Sequence, residues 1–296
     1  MPDELQYKLF VSIIYVFMFL FGATVGSFLN VCIYRLPKEE SLIKSNSHCM
    51  KCGTPILRRD LIPIVSWCML RGKCRACGEP ISPRYTVVEL LNAIGWVLIS
   101  LHFDIISSFS MMIHTVLCCL VFSALLVVFF MDWDTQLIST PVVIFIGALA
   151  IPDILLGPSF MGIEFRFMII GLFTTSLPLL LIFLISKGRA MGLGDVYLMA
   201  AAGLFLGWQR GLVALFVGII AGAVAGLIHK ARGGDSAFAF GPWLSIGILA
   251  AMIWGWDICN LYMSFTGLGE LIYGEGYIAN LPTDFYQEPH FSTEAA

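Results

Sequence analysis

Eight apolar stretches of the chain alternate with short polar segments. Most approach the roughly 20 residues that a helix needs to cross a bilayer, so we predict membrane-spanning helices. The sixth has only 13 residues and leads almost directly into the seventh, which predicts a helical hairpin. Single runs of this kind also occur as core helices of soluble proteins, but eight in one chain indicate a membrane protein. The predicted spans are Phe10–Tyr34, Val87–Phe103, Phe109–Met131, Leu137–Leu156, Phe167–Ile185, Val196–Trp208, Gly211–Ile228 and Ala237–Trp256.

The composition supports this interpretation. Of the 296 residues, 58% are hydrophobic and 12% are charged, whereas soluble domains carry roughly 25% charged residues. The net charge of -3 gives no indication of a nucleic-acid partner. The first span follows Asp3 and Glu4 rather than a basic segment, and it is longer than the apolar core of a secretory signal. We therefore predict that it is retained as a helix.

Basic residues are distributed unevenly between the two predicted sides of the membrane. When Lys8 is placed on one side, Arg166 and Arg210 join it, and the other 14 of the 17 Lys and Arg residues fall on the opposite side. The positive-inside rule assigns that opposite side to the cytoplasm. Both termini are then extracytoplasmic, an arrangement that requires an even number of spans.

These observations predict an all-α integral membrane protein with about eight transmembrane helices. We divide the chain into a first transmembrane helix (1–36), a cytoplasmic loop (37–85, here called the cysteine loop), a polytopic membrane domain (86–256) and an extracytoplasmic tail (257–296). The tail carries no Lys or Arg and no recognisable motif. Membrane lipid is the expected environment of most of the chain.

The cysteine loop contains a predicted metal site. It holds two C-x-x-C pairs, Cys49 with Cys52 and Cys74 with Cys77, which are separated by 21 residues. Two such pairs at this spacing are typical of zinc sites. Four thiolates leave no position for water, so the predicted Zn²⁺ is structural. Two disulfides or unpaired thiols are the alternatives, although a cytoplasmic location disfavours disulfides. His48, which precedes Cys49, is an alternative ligand.

Carboxylates at membrane depth are costly and are therefore candidates for function. Asp132 and Asp134 follow the third span and Asp195 begins the sixth, all on the predicted cytoplasmic side. Two carboxylates held together share a proton, so that one activates water while the other protonates a peptide carbonyl oxygen, as in aspartic proteases. Gly192 and Gly194 permit unusual φ angles and close approach of a substrate backbone. The alternative interpretation of Asp195 is a helix N-cap.

Other acids near the membrane have more ordinary interpretations. Asp104, Asp153 and Glu164 lie at outer helix ends or in an external loop, and we predict that they are solvated. Glu89 lies near the start of the second span, where it is either a functional acid or an acid that interacts with the positive end of the helix dipole.

Several sequence blocks occur in the order of a known family. They are GSFLNVCIYRLP at Gly26–Pro37, IPIVS at Ile62–Ser66, GKC at Gly72–Cys74, ISPRY at Ile81–Tyr85 followed by Glu89, GLGD at Gly192–Asp195, and FGP at Phe240–Pro242. Together with the cysteine pairs they resemble the bacterial prepilin (type IV leader) peptidase/N-methyltransferase family of GxGD membrane aspartyl proteases.

This resemblance implies Asp132 and Asp195 as the catalytic pair, with Gly192 and Gly194 supporting the catalytic loop. It implies cleavage of prepilins or pseudopilins after the Gly of a basic leader, at the cytoplasmic face of the bacterial inner membrane. Family members with the cysteine loop are credited with N-methylating the new N-terminus from S-adenosylmethionine. No fingerprint in this sequence identifies residues that bind that methyl donor. The resemblance does not distinguish type IV pilus assembly from type II secretion.

One segment departs from the family pattern. Where the family continues with Leu/Ile-Pro-Asp after the first aspartate, this chain reads LISTP at Leu137–Pro141. This predicts an altered start of the fourth helix. Asp134 and Glu89 are candidate contacts for the basic leader. The rival function classes are an ion-coupled transporter, which the absence of an inverted hydropathy repeat disfavours, and a non-enzymatic assembly protein of a pilus or secretion system.

Overall fold

A computed structural model describes residues 2–44, 47–156, 165–189, 191–233 and 238–266, and these residues form helices without a β-strand. The predicted solvation of Glu164 and most of the predicted tail lie outside the described residues. The helices are α1 (Pro2–Arg35), α2 (Val65–Met69), α3 (Arg84–His102), α4 (Phe109–Thr135), α5 (Thr140–Leu156), α6 (Phe165–Ser186), α7 (Leu193–Ala231) and α8 (Gly241–Thr266), with 3₁₀ turns at Leu36–Lys38 and Arg58–Leu61.

The predicted membrane fold is confirmed. Among the described helices, α1, α3, α4, α6, α7 and α8 are long and apolar enough to cross a membrane, while α5 is apolar but has only 17 residues. Large apolar side chains such as Phe17, Leu181 and Phe216 point outward and are more than half exposed. An outward apolar surface is stable only against lipid, so the chain is a multi-pass membrane protein.

The predicted hairpin of the sixth and seventh spans is confirmed within α7. Gly207 has φ 77° and ψ 174°, a conformation that is essentially restricted to glycine. A Cβ placed on Gly211 would lie 3.5 Å from Cα of Gly203, whereas eight residues of a straight helix span about 12 Å. The chain therefore folds back at Gly207. With this reversal α7 counts as two spans, which agrees with the expected total of about eight.

Small residues allow the membrane helices to pack closely. A Cβ on Gly203 would lie only 2.3 Å from the carbonyl oxygen of Gly171 in α6, and one on Gly247 in α8 would lie 2.3 Å from the carbonyl oxygen of Ala214. Because lipid provides no hydrophobic drive between helices, such close contacts supply much of the packing energy in membranes. They hold α6, α7 and α8 together around the start of α7.

Several predicted boundaries differ from the structure. Helix α1 begins at Pro2 instead of Phe10, and α8 runs from Gly241 to Thr266 instead of from Ala237 to Trp256. The later start of α8 follows from Pro242, because proline fits the first turn of a helix, where its missing N–H costs nothing. The LISTP departure has the same effect at α5, which begins at Thr140 with Pro141 in its first turn.

The prediction that Asp153 is solvated was wrong. Its side chain is fully buried, and Oδ1 lies 2.7 Å from Nδ1 of His114 on α4. The second ring nitrogen of His114 lies 3.5 Å from Sγ of Cys118. A buried acid in a membrane protein needs such a partner, and here the partner joins α4 to α5. Asp104, by contrast, is exposed as predicted.

Candidate active site

The last turn of α4 places Asp132 inside the protein. The helix continues to Thr135, four residues beyond the predicted end of the span, so Asp132 lies within the helix and is only 5% exposed. Its Oδ2 accepts a hydrogen bond of 2.8 Å from the backbone N–H of Gly241, at the start of α8. A Cβ at position 241 would lie 2.8 Å from the same oxygen. A side chain at position 241 would therefore displace the Asp132 carboxylate.

The first turn of α7 positions Asp195, which is 6% exposed. The N-cap is Gly192, and Asp195 occupies the third helical position, where its Oδ2 accepts a hydrogen bond of 3.1 Å from the N–H of Gly192. The alternative prediction of Asp195 as the N-cap was therefore wrong in position. A carboxylate in the first turn nevertheless satisfies a free N–H and interacts favourably with the positive end of the helix dipole.

The two glycines of the GLGD segment do not have the unusual φ angles that we expected. Gly192 is extended, with φ -80° and ψ 155°, and Gly194 is not among the residues with positive φ. The need for glycine at position 194 comes instead from packing, since a Cβ there would lie 2.9 Å from Cβ of Ile138.

Ile138 also connects the surroundings of the two aspartates. Its Cδ1 would lie 3.5 Å from a Cβ on Gly194 and 3.2 Å from a Cβ on Gly241. The carboxylates of Asp132 and Asp195 are near enough for the charge of one to act on the other. The fold thus brings together the end of α4, the start of α7 and the start of α8, and it buries two carboxylates at their meeting point. Such a pair can share one proton.

The other acidic candidates have partners within the protein. Asp134 accepts two hydrogen bonds from Arg84 at the start of α3, with an Nη2–Oδ2 distance of 2.6 Å. Glu89 is 9% exposed, and its Oε2 accepts a hydrogen bond of 2.7 Å from the backbone N–H of Ile64 in the cysteine loop. These contacts tie α3 both to the end of α4 and to the cysteine loop.

The four paired cysteines come together and could hold a metal ion. The sulfur atoms of Cys49, Cys52, Cys74 and Cys77 all lie within 4.8 Å of one another, and all four are free thiols. The distance between the sulfurs of Cys49 and Cys77 is 3.8 Å, close to the edge of about 3.8 Å expected for a tetrahedron with Zn–S bonds of about 2.3 Å. His48 does not belong to this cluster, the one candidate metal-binding group among the described residues.

Tight turns and local hydrogen bonds set the geometry and the pKa values of the clustered thiols. Each pair forms a tight turn that ends on a glycine with positive φ, Gly53 at 68° and Gly78 at 74°, as predicted. Hydrogen bonds to Thr54 lower the pKa of Cys52 to about 6. At Cys77 the backbone N–H of Glu79 lowers the pKa, but desolvation and the neighbouring sulfurs outweigh it and raise the value to about 12. A bound cation would relieve this mutual repulsion of thiolates.

Fold and site together define the class of protein: a multi-pass membrane protein with a buried aspartate pair and a loop whose four cysteine sulfurs could hold a metal ion. Residues 20–103 match the family described as Bacterial Peptidase A24 N-terminal domain. Residues 119–227 match the Type IV leader peptidase family. The chain belongs to the type IV leader peptidase family.

Similar proteins carry the name prepilin leader peptidase/N-methyltransferase. The one from Legionella pneumophila is 31% identical, over 85% of this chain and 95% of its own length. The one from Pseudomonas aeruginosa is 30% identical, over 84% and 93%. The one from Myxococcus xanthus is 34% identical, and the match spans 72% of this chain and 62% of that relative. No solved structure shows a significant match.

Sequence reasoning named Gly192, which donates to Asp195, but it did not identify Gly241 as the partner of Asp132 or Ile138 as the residue between the two sites. Gly241 was recognised only as part of the FGP block, and Ile138 only as part of a departure from the family pattern. Their roles depend on contacts between segments far apart in sequence, since Gly241 and Asp132 are separated by 109 positions. The FGP block was the available signal, but it carried no physical role until α8 was placed beside α4.

Proposed function

We propose that this chain is a prepilin leader peptidase that cuts with Asp132 and Asp195 and then N-methylates the new N-terminus. The observation that carries the peptidase assignment is the pair of buried carboxylates, each with one oxygen held by a backbone N–H, from Gly241 at 2.8 Å and from Gly192 at 3.1 Å. Carboxylates that are fixed in this way are already positioned for reaction before a substrate binds. The methyltransferase assignment rests on the names of the relatives.

The mechanism follows from a pair that carries one proton. The ionised carboxylate takes a proton from water, and the oxygen of that water attacks the peptide carbonyl carbon. The protonated carboxylate donates its proton to the carbonyl oxygen, which gives a neutral tetrahedral intermediate. Burial of Asp132 and Asp195 disfavours two adjacent negative charges, so the pair retains its one proton. Collapse of the intermediate releases the leader acid and the new amine.

The site lies at a membrane surface that suits the expected substrate. Arg84 is hydrogen-bonded to Asp134. Arg84 and Asp132 therefore lie at the same end of the helix bundle, which adjoins the cysteine loop. By the positive-inside rule this end faces the cytoplasm of an inner membrane. A prepilin presents a basic leader followed by an apolar helix, so its junction lies at this depth when the helix is in lipid. We propose prepilins or pseudopilins as substrates.

Two further groups belong to this proposal. Cys49, Cys52, Cys74 and Cys77 would hold Zn²⁺, which supplies structure to a loop with little apolar core of its own. S-adenosylmethionine would supply the methyl group for the second activity. Neither group takes part in the cleavage step, which needs only water and the two aspartates.

The test is a cleavage assay in detergent. Purified wild type, Asp132→Asn and Asp195→Asn are each mixed with a prepilin that has a basic leader and a Gly-Phe junction, and product N-termini are read by mass spectrometry. Wild type should cut after Gly, and each Asn variant should lose at least about 100-fold in rate. Asp104→Asn, an exposed acid, is the matched control. Cleavage that survives Asp195→Asn would exclude the aspartyl mechanism.

A further inference from the structure

A large cavity lies between the cysteine loop and the adjoining ends of α1 and α3. Its volume is about 1120 Å³, slightly above the range of roughly 300–1000 Å³ that is usual for ligand sites. Most of its wall surface is apolar, with Tyr34 from α1, Trp67 and Ile62 from the loop, and Tyr85 from α3, and polar and charged side chains also line it. Apolar wall surface combined with polar groups that orient a ligand is usual for a small-molecule site.

Glu89 is the buried carboxylate of this cavity. Its contacts include the N–H of Ile64 at 2.7 Å and the hydroxyl of Ser27, and both of those residues also line the cavity. Ile64 has φ 63° and ψ -54°, an unfavourable conformation for a β-branched residue. Strained backbone of this kind is found where a site must be held in one geometry. The hydrogen bond to Glu89 holds Ile64 in this conformation.

The other described charges around the cavity are committed elsewhere or lie at its rim. Asp60 forms two hydrogen bonds with Arg75, and Glu79 pairs with Lys51. The guanidinium of Arg35 donates to the carbonyl oxygens of Ser41 and Leu42, and Glu40 is exposed. Glu89, by contrast, is a buried carboxylate that accepts hydrogen bonds from neutral donors, so it remains able to receive a cation or a proton. The remaining titratable groups of the lining are Tyr34, His48, Cys49, Cys74 and Tyr85.

The cavity wall is connected to the helix that carries Asp132. Tyr85 in the cavity wall follows Arg84, and Arg84 is hydrogen-bonded to Asp134, which is two residues beyond Asp132. The same guanidinium donates to the carbonyl oxygen of Phe130. The cavity wall and the end of the helix that carries Asp132 are therefore linked through Arg84.

We infer that this cavity is the site of methyl transfer and that Glu89 accepts the proton of the reacting amine. The inference rests on the proposed function. In the transfer the amine nitrogen bonds to the methyl carbon, the carbon–sulfur bond breaks with its electron pair left on sulfur, and one N–H proton passes to the Glu89 carboxylate. The volume accommodates a nucleoside sulfonium together with a peptide end. The apolar and aromatic walls suit both the purine and the Phe side chain.

The test compares wild type with Glu89→Gln, which keeps an oxygen to accept the Ile64 N–H but cannot take up a proton. A synthetic peptide with a free N-terminal Phe, equivalent to a chain already cut, is supplied with S-adenosylmethionine, so that methylation is measured independently of cleavage. Binding of S-adenosylhomocysteine is measured by calorimetry. Glu39→Gln, at an exposed acid outside the cavity lining, is the matched control.

Glu89→Gln should lower the methylation rate at pH 7 by about 100-fold or more while S-adenosylhomocysteine still binds. The deficit should shrink toward pH 9, because an α-amine with a pKa of about 8 then loses its proton without help. Val31→Trp, which fills the cavity from α1, should abolish that binding but leave prepilin cleavage measurable. Unchanged methylation in Glu89→Gln, a deficit of equal size at every pH, or full binding in Val31→Trp would each overturn the inference. Failure of wild type to cut prepilin would count against the proposed peptidase activity. It would leave the inference on methyl transfer standing, because methylation is measured on a peptide that needs no cleavage.

Discussion

The backbone N–H of Gly241 lies 2.8 Å from Oδ2 of Asp132 and donates a hydrogen bond to it, although the two residues are 109 positions apart. This contact connects the start of α8 to the end of α4, and a Cβ at position 241 would press against the same carboxylate oxygen at 2.8 Å. The FGP block is thus part of the support for the first aspartate. It fixes one carboxylate oxygen and leaves the other available for chemistry.

Gly241→Ala should reduce prepilin cleavage by about 100-fold, because a shift of the carboxylate by about 1 Å is enough for such a loss. The measurement is the cleavage rate at saturating substrate, with thermal unfolding recorded in parallel. Gly226→Ala is the matched control, since its Cβ would meet nothing closer than a carbon of Phe238 at 3.8 Å. Equal cleavage by the two variants would remove Gly241 from the site.

Gly207→Ala should destabilise the protein by about 1–3 kcal/mol, because φ 77° with ψ 174° is unfavourable for any residue with a side chain. The space around position 207 is open, with Phe167 O at 3.9 Å. The loss of stability would therefore come from backbone strain and not from a steric clash. Unfolding in mixed micelles measures it. Gly147→Ala, within regular helix α5 and with nearest contacts at 3.6 Å, should be neutral, and an equal effect at both positions would contradict the sharp reversal.

The purified protein should contain about one Zn²⁺ per chain, measured by elemental mass spectrometry. Replacing Cys49 and Cys52 together by Ser should remove the metal and make the cysteine loop sensitive to protease, because two ligands are lost. Cys68→Ser is the control, since Cys68 is exposed and outside the cluster. Full zinc content in the double variant, or oxidised cysteines in protein purified under reducing conditions, would show that the cluster is not a metal site.

The buried His114–Asp153 pair predicts a non-additive effect on stability. His114→Leu or Asp153→Leu alone should cost about 3–5 kcal/mol, since each leaves a buried polar partner unpaired, and the double variant should cost less than the sum. Denaturant unfolding of both singles and the double measures this coupling. Asp104→Asn, on the exposed surface, should change stability by less than about 0.5 kcal/mol. Strict additivity would mean that the 2.7 Å contact contributes no coupling.

Much of the architecture could be predicted from sequence because hydrophobic length is a local property. The spans, the hairpin around Gly207 and the cysteine cluster all follow from short windows of residues. Asp153 shows where this approach ends, because its solvated position was predicted from its place along the span, whereas its real environment is set by His114, 39 residues earlier. Whether a helix face is buried depends on the helices that pack against it. A short segment of sequence does not include those helices.

The chain by itself determined that the protein spans a membrane and that two C-x-x-C pairs can meet, and it predicted that Asp132 and Asp195 lie at one depth. These features depend on residue type and spacing, through the bilayer thickness and the geometry of thiolate turns. Only the tertiary structure decided that Gly241 and Gly192 hold the two carboxylates, and that Glu89 faces a cavity under the cysteine loop. Those relationships arise from helices that pack across long sequence separations, where close contact between backbone atoms selects the partners.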